Sequence, residues 1–137
     1  MPRDVLHMKL DWETVPGLPG FAPEGFGLRI LQADDGGALG ALMWNAYRGT
    51  IDDEGATLTE AITEAEATLA GAWGPMITAA SLAVMVEGRL IAAVVVVHDD
   101  KHDRVPLLAF ALTEPTWQRR GIGAWLIHES ITRLASL

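Results

Sequence analysis

Apolar residues recur along this chain with two different periods, and the switches between them divide it into elements. Ala80 to Val86, Leu90 to Val97 and Val105 to Thr113 are β-rich apolar runs of strand length. Glu87-Gly88-Arg89 separates the first two and reads as a hairpin turn, while Asp99 to Arg104 separates the second from the third. An earlier alternating stretch, Gly27 to Ala33, predicts one more strand. Helical spacing governs three other segments. Leu39, Leu42, Met43 and Ala46 would face inward on a helix capped by Asp34 or Asp35 and running to about Arg48. Thr57-Leu-Thr-Glu60 fits a capping box, and Leu58, Ile62, Ala65 and Leu69 follow at helical intervals until Gly71 supplies a stop. Ile122, Leu126, Ile127, Ile131 and Leu134 share one face of a final helix from Ile122 to Leu134.

The predicted order is strand, helix, helix, three strands, loop, helix, an α/β (α+β) arrangement in one domain over residues 27–137. Residues 1–26 carry Pro16, Pro19 and Pro23 among glycines and read as an arm or loop ahead of it. A chain of 137 residues that is 50% hydrophobic can fill a core of its own. Cysteine is absent, which excludes a disulfide framework, a thiolate nucleophile and zinc–thiolate sites, and agrees with a cytoplasmic location. The longest apolar run, Leu90 to Val97, falls far below the ~18 residues of a membrane span, so no membrane association is expected. The formal net charge of −8 argues against nucleic-acid binding, which needs clustered Lys and Arg. That charge is uneven. Eight acids lie between Asp34 and Glu66 against Arg48 alone, whereas the stretch before the last helix is locally basic.

The basic stretch is the most informative one. Gln118 to Gly123 reads Gln-Arg-Arg-Gly-Ile-Gly and joins the apolar strand Val105–Thr113 to the last helix. A helix N-terminus leaves backbone N–H groups unpaired and carries partial positive charge, so a turn that aims them inward binds phosphate. Gly121 and Gly123 remove Cβ atoms where a ligand comes closest, and Arg119 and Arg120 add positive charge. A dinucleotide fingerprint would need glycine at Leu126, and a Walker loop would need Gly-Lys-Ser/Thr, yet neither Lys9 nor Lys101 follows a glycine. The plainer reading is a helix that begins after a glycine turn with solvated arginines.

Spacing Q/R-x-x-G-x-G/A, with Pro115 between strand and loop, resembles the acyl-CoA signature of the GNAT acetyltransferase superfamily. The resemblance implies a mixed, mostly antiparallel sheet flanked by helices. It also implies that the amides of Arg119, Arg120, Gly121, Ile122, Gly123 and Ala124 hold the CoA pyrophosphate, with Gln118 opening the loop. Backbone at Leu112 and Thr113 would pair with the pantetheine arm. Acetyl-CoA is then the expected acyl donor, without a metal, and a small amine the acceptor, attacking the thioester directly. The acids between Asp34 and Glu66 suit a cationic amine, or are merely a solvated face. The family continues past this helix with further strands and a helix, so the expectation is a shortened chain or a homodimer that completes the sheet.

Catalytic groups are harder to place. Some relatives carry a glutamate early in the fourth strand, where this chain has Pro106-Leu107-Leu108. Glu114 is a weak catalytic candidate, with the alternative that it holds an arginine at the rim. Tyr47, the only tyrosine, reads as packing, and a general-acid tyrosine would lie on a helix not included here. His98 to Asp103 has the composition of a metal cluster but sits between strands and reads as a solvated loop, so no metal is expected. His7 and His128 have no evident partner. Trp117 and Trp125 flank the glycine loop and could pack or stack on an adenine. Two other functions stay open: a non-catalytic CoA-binding or regulatory module of this fold, and an interaction domain without cofactor.

Overall fold

A computed structural model describes residues 26–49, 55–99 and 105–137. Four strands, β1 (Gly27–Ile30), β2 (Leu82–Val86), β3 (Arg89–Asp99) and β4 (Val105–Thr113), form one antiparallel sheet in the order β1-β2-β3-β4. Helices α1 (Gly36–Tyr47) and α2 (Leu58–Leu69) lie between β1 and β2 in sequence, and α3 (Ile122–Ala135) follows β4. Short 3-10 turns occupy Ala33–Asp35, Thr78–Ala80 and Pro115–Trp117. Residues 1–25 of the arm expected over 1–26 lie outside the described residues, as do Asp52 to Glu54 and Asp100 to Asp103 of the His98–Asp103 loop; His7 falls within the first of these stretches.

Two apolar clusters, one on each face of the sheet, explain the sequence pattern. Leu39, Leu42 and Met43 of α1 and Ala61, Ala65 and Leu69 of α2 pack on Ala83, Ala93, Val95, Phe110 and Leu112. Ile122, Trp125 and Leu126 of α3 pack on Leu82, Val84, Ala92, Val94 and Val96. Because β3 is covered on both sides, Ile91 to Val97 forms an unbroken apolar run, no residue of which is more than 3% exposed. The inward side of α1 is as the spacing predicts.

Local chemistry sets the element ends. Glu87 and Gly88 form a two-residue turn with φ of 50° and 77°, closed by the Val86–Arg89 pair, as a hairpin twist requires. The α2 capping box is formed: Glu60 N–H donates to Thr57 Oγ1 (3.1 Å) and Thr57 N–H donates to Glu60 Oε1 (3.0 Å). These bonds hold the Glu60 carboxyl below its usual range. At the other end, Ala72 N–H reaches Ala67 C=O and Gly71 N–H reaches Thr68 C=O, the two bonds of a Schellman motif.

Four expectations are corrected. The strand expected over Gly27–Ala33 stops at Ile30, although Leu31 N–H still bonds Ser81 C=O (2.9 Å), because the chain then turns into the Ala33–Asp35 helix. Ala80 is helical rather than extended, and β2 begins at Leu82. There Ser81 Oγ accepts from Val96 N–H (3.0 Å) and lies 2.9 Å from Ile77 C=O, replacing backbone pairing with a buried hydroxyl. Asp35 stands at the N-cap position of α1 but does not cap it with its side chain. Its carboxylate is held instead by both guanidinium nitrogens of Arg29 at 2.8 Å and by Gln32 N–H at 2.7 Å. Finally, the buried stripe of α3 is Ile122, Trp125, Leu126 and Ser130, while Ile127 and Ile131 are half-buried. Ser130 donates to Ala80 C=O at 2.7 Å, which ties α3 to the turn before β2.

Candidate functional site

The end of β4 and the start of α3 form the site. β4 has β3 on one edge and no strand on the other among the described residues. Val95 pairs with Phe110 but Val96 with Leu108, so Ala109 is an extra residue and β4 bulges there. Glu114 N–H donates to Ile91 C=O (2.8 Å), which fixes the phase of the ladder. By the antiparallel alternation, Leu112 turns its backbone groups toward β3, and Ala111 and Thr113 turn theirs to the open edge. Of the two strand residues expected to meet a pantetheine arm, Thr113 therefore offers backbone groups and Leu112 does not; the Leu112 side chain is core.

Beyond the strand, Pro115 opens a single 3-10 turn, and Trp117 N–H returns to Glu114 C=O (2.8 Å). Gln118 Nε2 then donates to Thr113 C=O (2.9 Å), bridging loop and strand edge. Arg119 (φ 63°) and Gly121 (φ 81°) both adopt the left-handed region on either side of Arg120. Such a conformation strains a non-glycine residue by roughly 1–3 kcal/mol and concentrates at ligand sites. A Cβ built on Gly121 would meet nothing within 4 Å, so its glycine answers the backbone angle and leaves open space above it.

The first bond within α3 is Trp125 N–H to Gly121 C=O (3.0 Å). The amides of Ile122, Gly123 and Ala124 thus precede any intrahelical acceptor. Gly121 supplies no side-chain cap, and the first turn holds no acid. An anion is the complement of that end. The Ile122 side chain is buried, so only its amide serves the site, and Ala124 is exposed. Gly123 lies beside the end of β4, where an added Cβ would stand 3.4 Å from Thr113 Oγ1, an ordinary contact distance.

Aromatic residues brace this loop. Arg120 stacks over the Trp117 ring at 4.9 Å from its centroid, and Phe26 meets the same tryptophan edge to face at 5.3 Å and 85°. Trp125, the second tryptophan weighed as an adenine platform, is a core residue at 4% exposure. Glu114 pairs with Arg89 (2.9 Å), and its Oε2 is buried without a hydrogen-bond partner, as is Nδ1 of His128. Tyr47 packs against the α1–α2 cluster. Among the described residues no group of His, Cys, Asp and Glu could hold a metal ion, and no helix is long and apolar enough to cross a membrane.

Sequence reasoning did not find the Ala109 bulge, the left-handed Arg119 or the outward phase of Ala111 and Thr113. No glycine or proline marks the first two, and the third depends on strand register.

No protein-family profile and no curated protein matches the chain. Solved structures do. A proposed acetyltransferase of Pyrococcus horikoshii superposes with a TM-score of 0.64 at 13% identity, over 85% of this chain and 37% of that one. The chain therefore corresponds to little more than a third of that protein's length. A second proposed acetyltransferase of that organism gives 0.64 at 18% identity, covering 81% and 75% of the two chains. A GNAT family acetyltransferase of Brucella melitensis, solved with acetyl-CoA, gives 0.61 at 18% identity over 81% and 69%. This chain has the GNAT acetyltransferase fold. At these identities the similarity concerns fold.

Proposed function

We propose that this chain binds an acyl-CoA at the β4–α3 junction and serves an N-acyltransferase that moves an acetyl group from acetyl-CoA to a small amine. The observation that carries this is the N-terminus of α3, without a side-chain cap, free of acids in its first turn and opened by left-handed Arg119 and Gly121 beside a strand edge that no described strand pairs. The pyrophosphate takes the amides of Arg119 to Ala124. The pantetheine arm runs along β4 and bonds the outward backbone groups of Thr113 and Ala111, one lone pair of Thr113 C=O being already used by Gln118. Backbone at the Ala109 bulge, released from the ladder, is the source of an amide that polarises the thioester carbonyl.

Direct transfer then needs a neutral amine, attack on the carbonyl carbon, departure of the thiolate and removal of the amine proton. Of the acids from Asp34 to Glu66, Asp35 and Glu60 are already engaged, which leaves Asp34, Glu64 and Glu66 as the described carboxylates that would favour a cationic acceptor. We assign the protein to the cytoplasm on its lack of cysteine. The open edge of β4 ahead of its bulge, clear of the Ala111 and Thr113 groups that meet the arm, would also accept a strand from a second copy in a homodimer.

A non-catalytic CoA-binding module of the same fold is favoured by one observation: Glu114 is committed to Arg89. Acetyl-CoA turnover with a panel of amines separates the two. The binding reading itself is tested by Gly121→Glu, which fills the open space with a carboxylate where the phosphates go. A folded Gly121→Glu protein should lose CoA binding in calorimetry; retention of wild-type affinity would remove the assignment.

A further inference from the structure

We infer that Trp117 is a positioning residue for Arg120, presenting its guanidinium to a phosphate of the CoA held at the start of α3. The inference rests on the binding reading above. Arg120 lies one residue before the Gly121 N-cap, and its guanidinium carbon sits 4.9 Å from the Trp117 ring centroid. Trp117 is held in turn by Phe26, edge to face, and by its own N–H on Glu114 C=O. A chain of contacts thus runs from the strand end through an aromatic pair to a single cation.

The manner of holding matters. The ion pairs Arg29–Asp35, through both terminal nitrogens, and Arg89–Glu114, through one, engage the N–H groups of two other arginines and offset their charge. An aromatic face holds a guanidinium through its plane, leaving the N–H edge and the full charge to a phosphate. In a protein of net charge −8, a polyanionic ligand meets general repulsion, so a pre-positioned cation at the mouth of the site has an outsized effect. Restricting an otherwise mobile long side chain before binding also removes part of the entropy lost on association. A direct stack of Trp117 on adenine is the competing use, but Arg120 already covers one face of the ring and Phe26 adjoins it.

The test is a double-mutant cycle on CoA affinity by calorimetry, with Trp117→Leu, Trp117→Phe, Arg120→Gln and the Trp117→Leu/Arg120→Gln pair, each checked for an intact melting transition. Arg120→Gln should weaken CoA binding roughly tenfold or more and flatten its salt dependence. Trp117→Leu should weaken it about two- to fivefold, and Trp117→Phe, which keeps a ring face, should bind nearly as the wild type. In the Arg120→Gln background Trp117→Leu should cost nothing further. Equal losses from Trp117→Leu in both backgrounds, or wild-type affinity in Arg120→Gln, would overturn the inference while leaving the cofactor site intact. A wild-type protein that binds no CoA would overturn the cofactor reading and this inference together.

Discussion

Gln118 Nε2 donates to the Thr113 carbonyl over 2.9 Å, so the loop between β4 and α3 is latched to the last residue of β4. The bond is exposed and its net worth to folding is about 1 kcal/mol or less. Its larger effect is on the loop's geometry. Gln118→Leu should leave the melting transition almost unchanged yet raise the CoA dissociation constant roughly two- to tenfold, measured by calorimetry. An unchanged dissociation constant would mean that the latch plays no part in binding.

Glu114 is a weak candidate for the proton acceptor of an acyl transfer, and its Oε1 lies 2.9 Å from an Arg89 guanidinium nitrogen. A general base typically contributes 10²–10⁴-fold to rate. If the pairing is its function, Glu114→Gln and Arg89→Gln should reduce acetyl transfer to a similar and smaller degree, below about tenfold. A loss of 10²-fold or more in Glu114→Gln alone, in steady-state kinetics, would instead make Glu114 the base.

The two helices of the acidic layer meet backbone to backbone. A Cβ on Gly40 would lie 2.3 Å from Ile62 Cα, a contact that no rotamer change relieves. Gly40→Ala should therefore destabilise the fold by about 1–3 kcal/mol, or more, in denaturant unfolding. Gly37, one turn earlier in the same helix, has nothing within 4 Å of an added Cβ. Gly37→Ala should be neutral or stabilise by about 0.5–1 kcal/mol through helix propensity alone.

Much of this architecture can be read from the sequence because its signals are local. The Thr57–Glu60 capping box, the stop at Gly71 and the bounds of β4 need only neighbouring residues, and each is present as predicted. Errors arise where a distant partner decides. Asp35 has the chemistry of a helix cap, but Arg29, six residues away, takes its carboxylate. The α3 stripe rotates toward Trp125 and Ser130 because Ala80 offers Ser130 an acceptor and the sheet offers Trp125 an apolar face to cover. At the site, the glycines announce the loop, whereas the outward phase of Thr113 is set by pairing with β3, through Glu114 N–H on Ile91 C=O, and no residue type signals the bulge at Ala109.

The Arg29–Asp35 pair also sets an acid response. Hydrogen bonds from Arg29 lower the Asp35 carboxyl below its ordinary range, against the opposing effect of burial, and Gln32 N–H adds to the lowering. A carboxyl with a folded value below its unfolded one stabilises the protein fully above the unfolded value and loses that contribution as pH falls toward the folded one. Stability should therefore decline on acidification below about pH 4. Asp35→Asn should lower stability at neutral pH by about 1–3 kcal/mol and make the acid limb shallower, followed by urea unfolding across pH. An unchanged acid limb would place the response elsewhere.

The central claim is that α3 begins at a CoA phosphate site, and the melting temperature of the wild-type protein with CoA, acetyl-CoA and NAD in parallel tests it most directly. All three ligands carry an adenine and a pyrophosphate, and the two CoA species differ from NAD in the ribose 3′-phosphate and in the pantetheine arm that would run along the outward edge of β4. At concentrations about a hundredfold above the dissociation constant, a native-state ligand adds about 2.7 kcal/mol, which is a rise of several degrees in a domain of this size. The account predicts that rise with CoA and acetyl-CoA and none with NAD. No shift with either CoA species, or an equal shift with NAD, would contradict it.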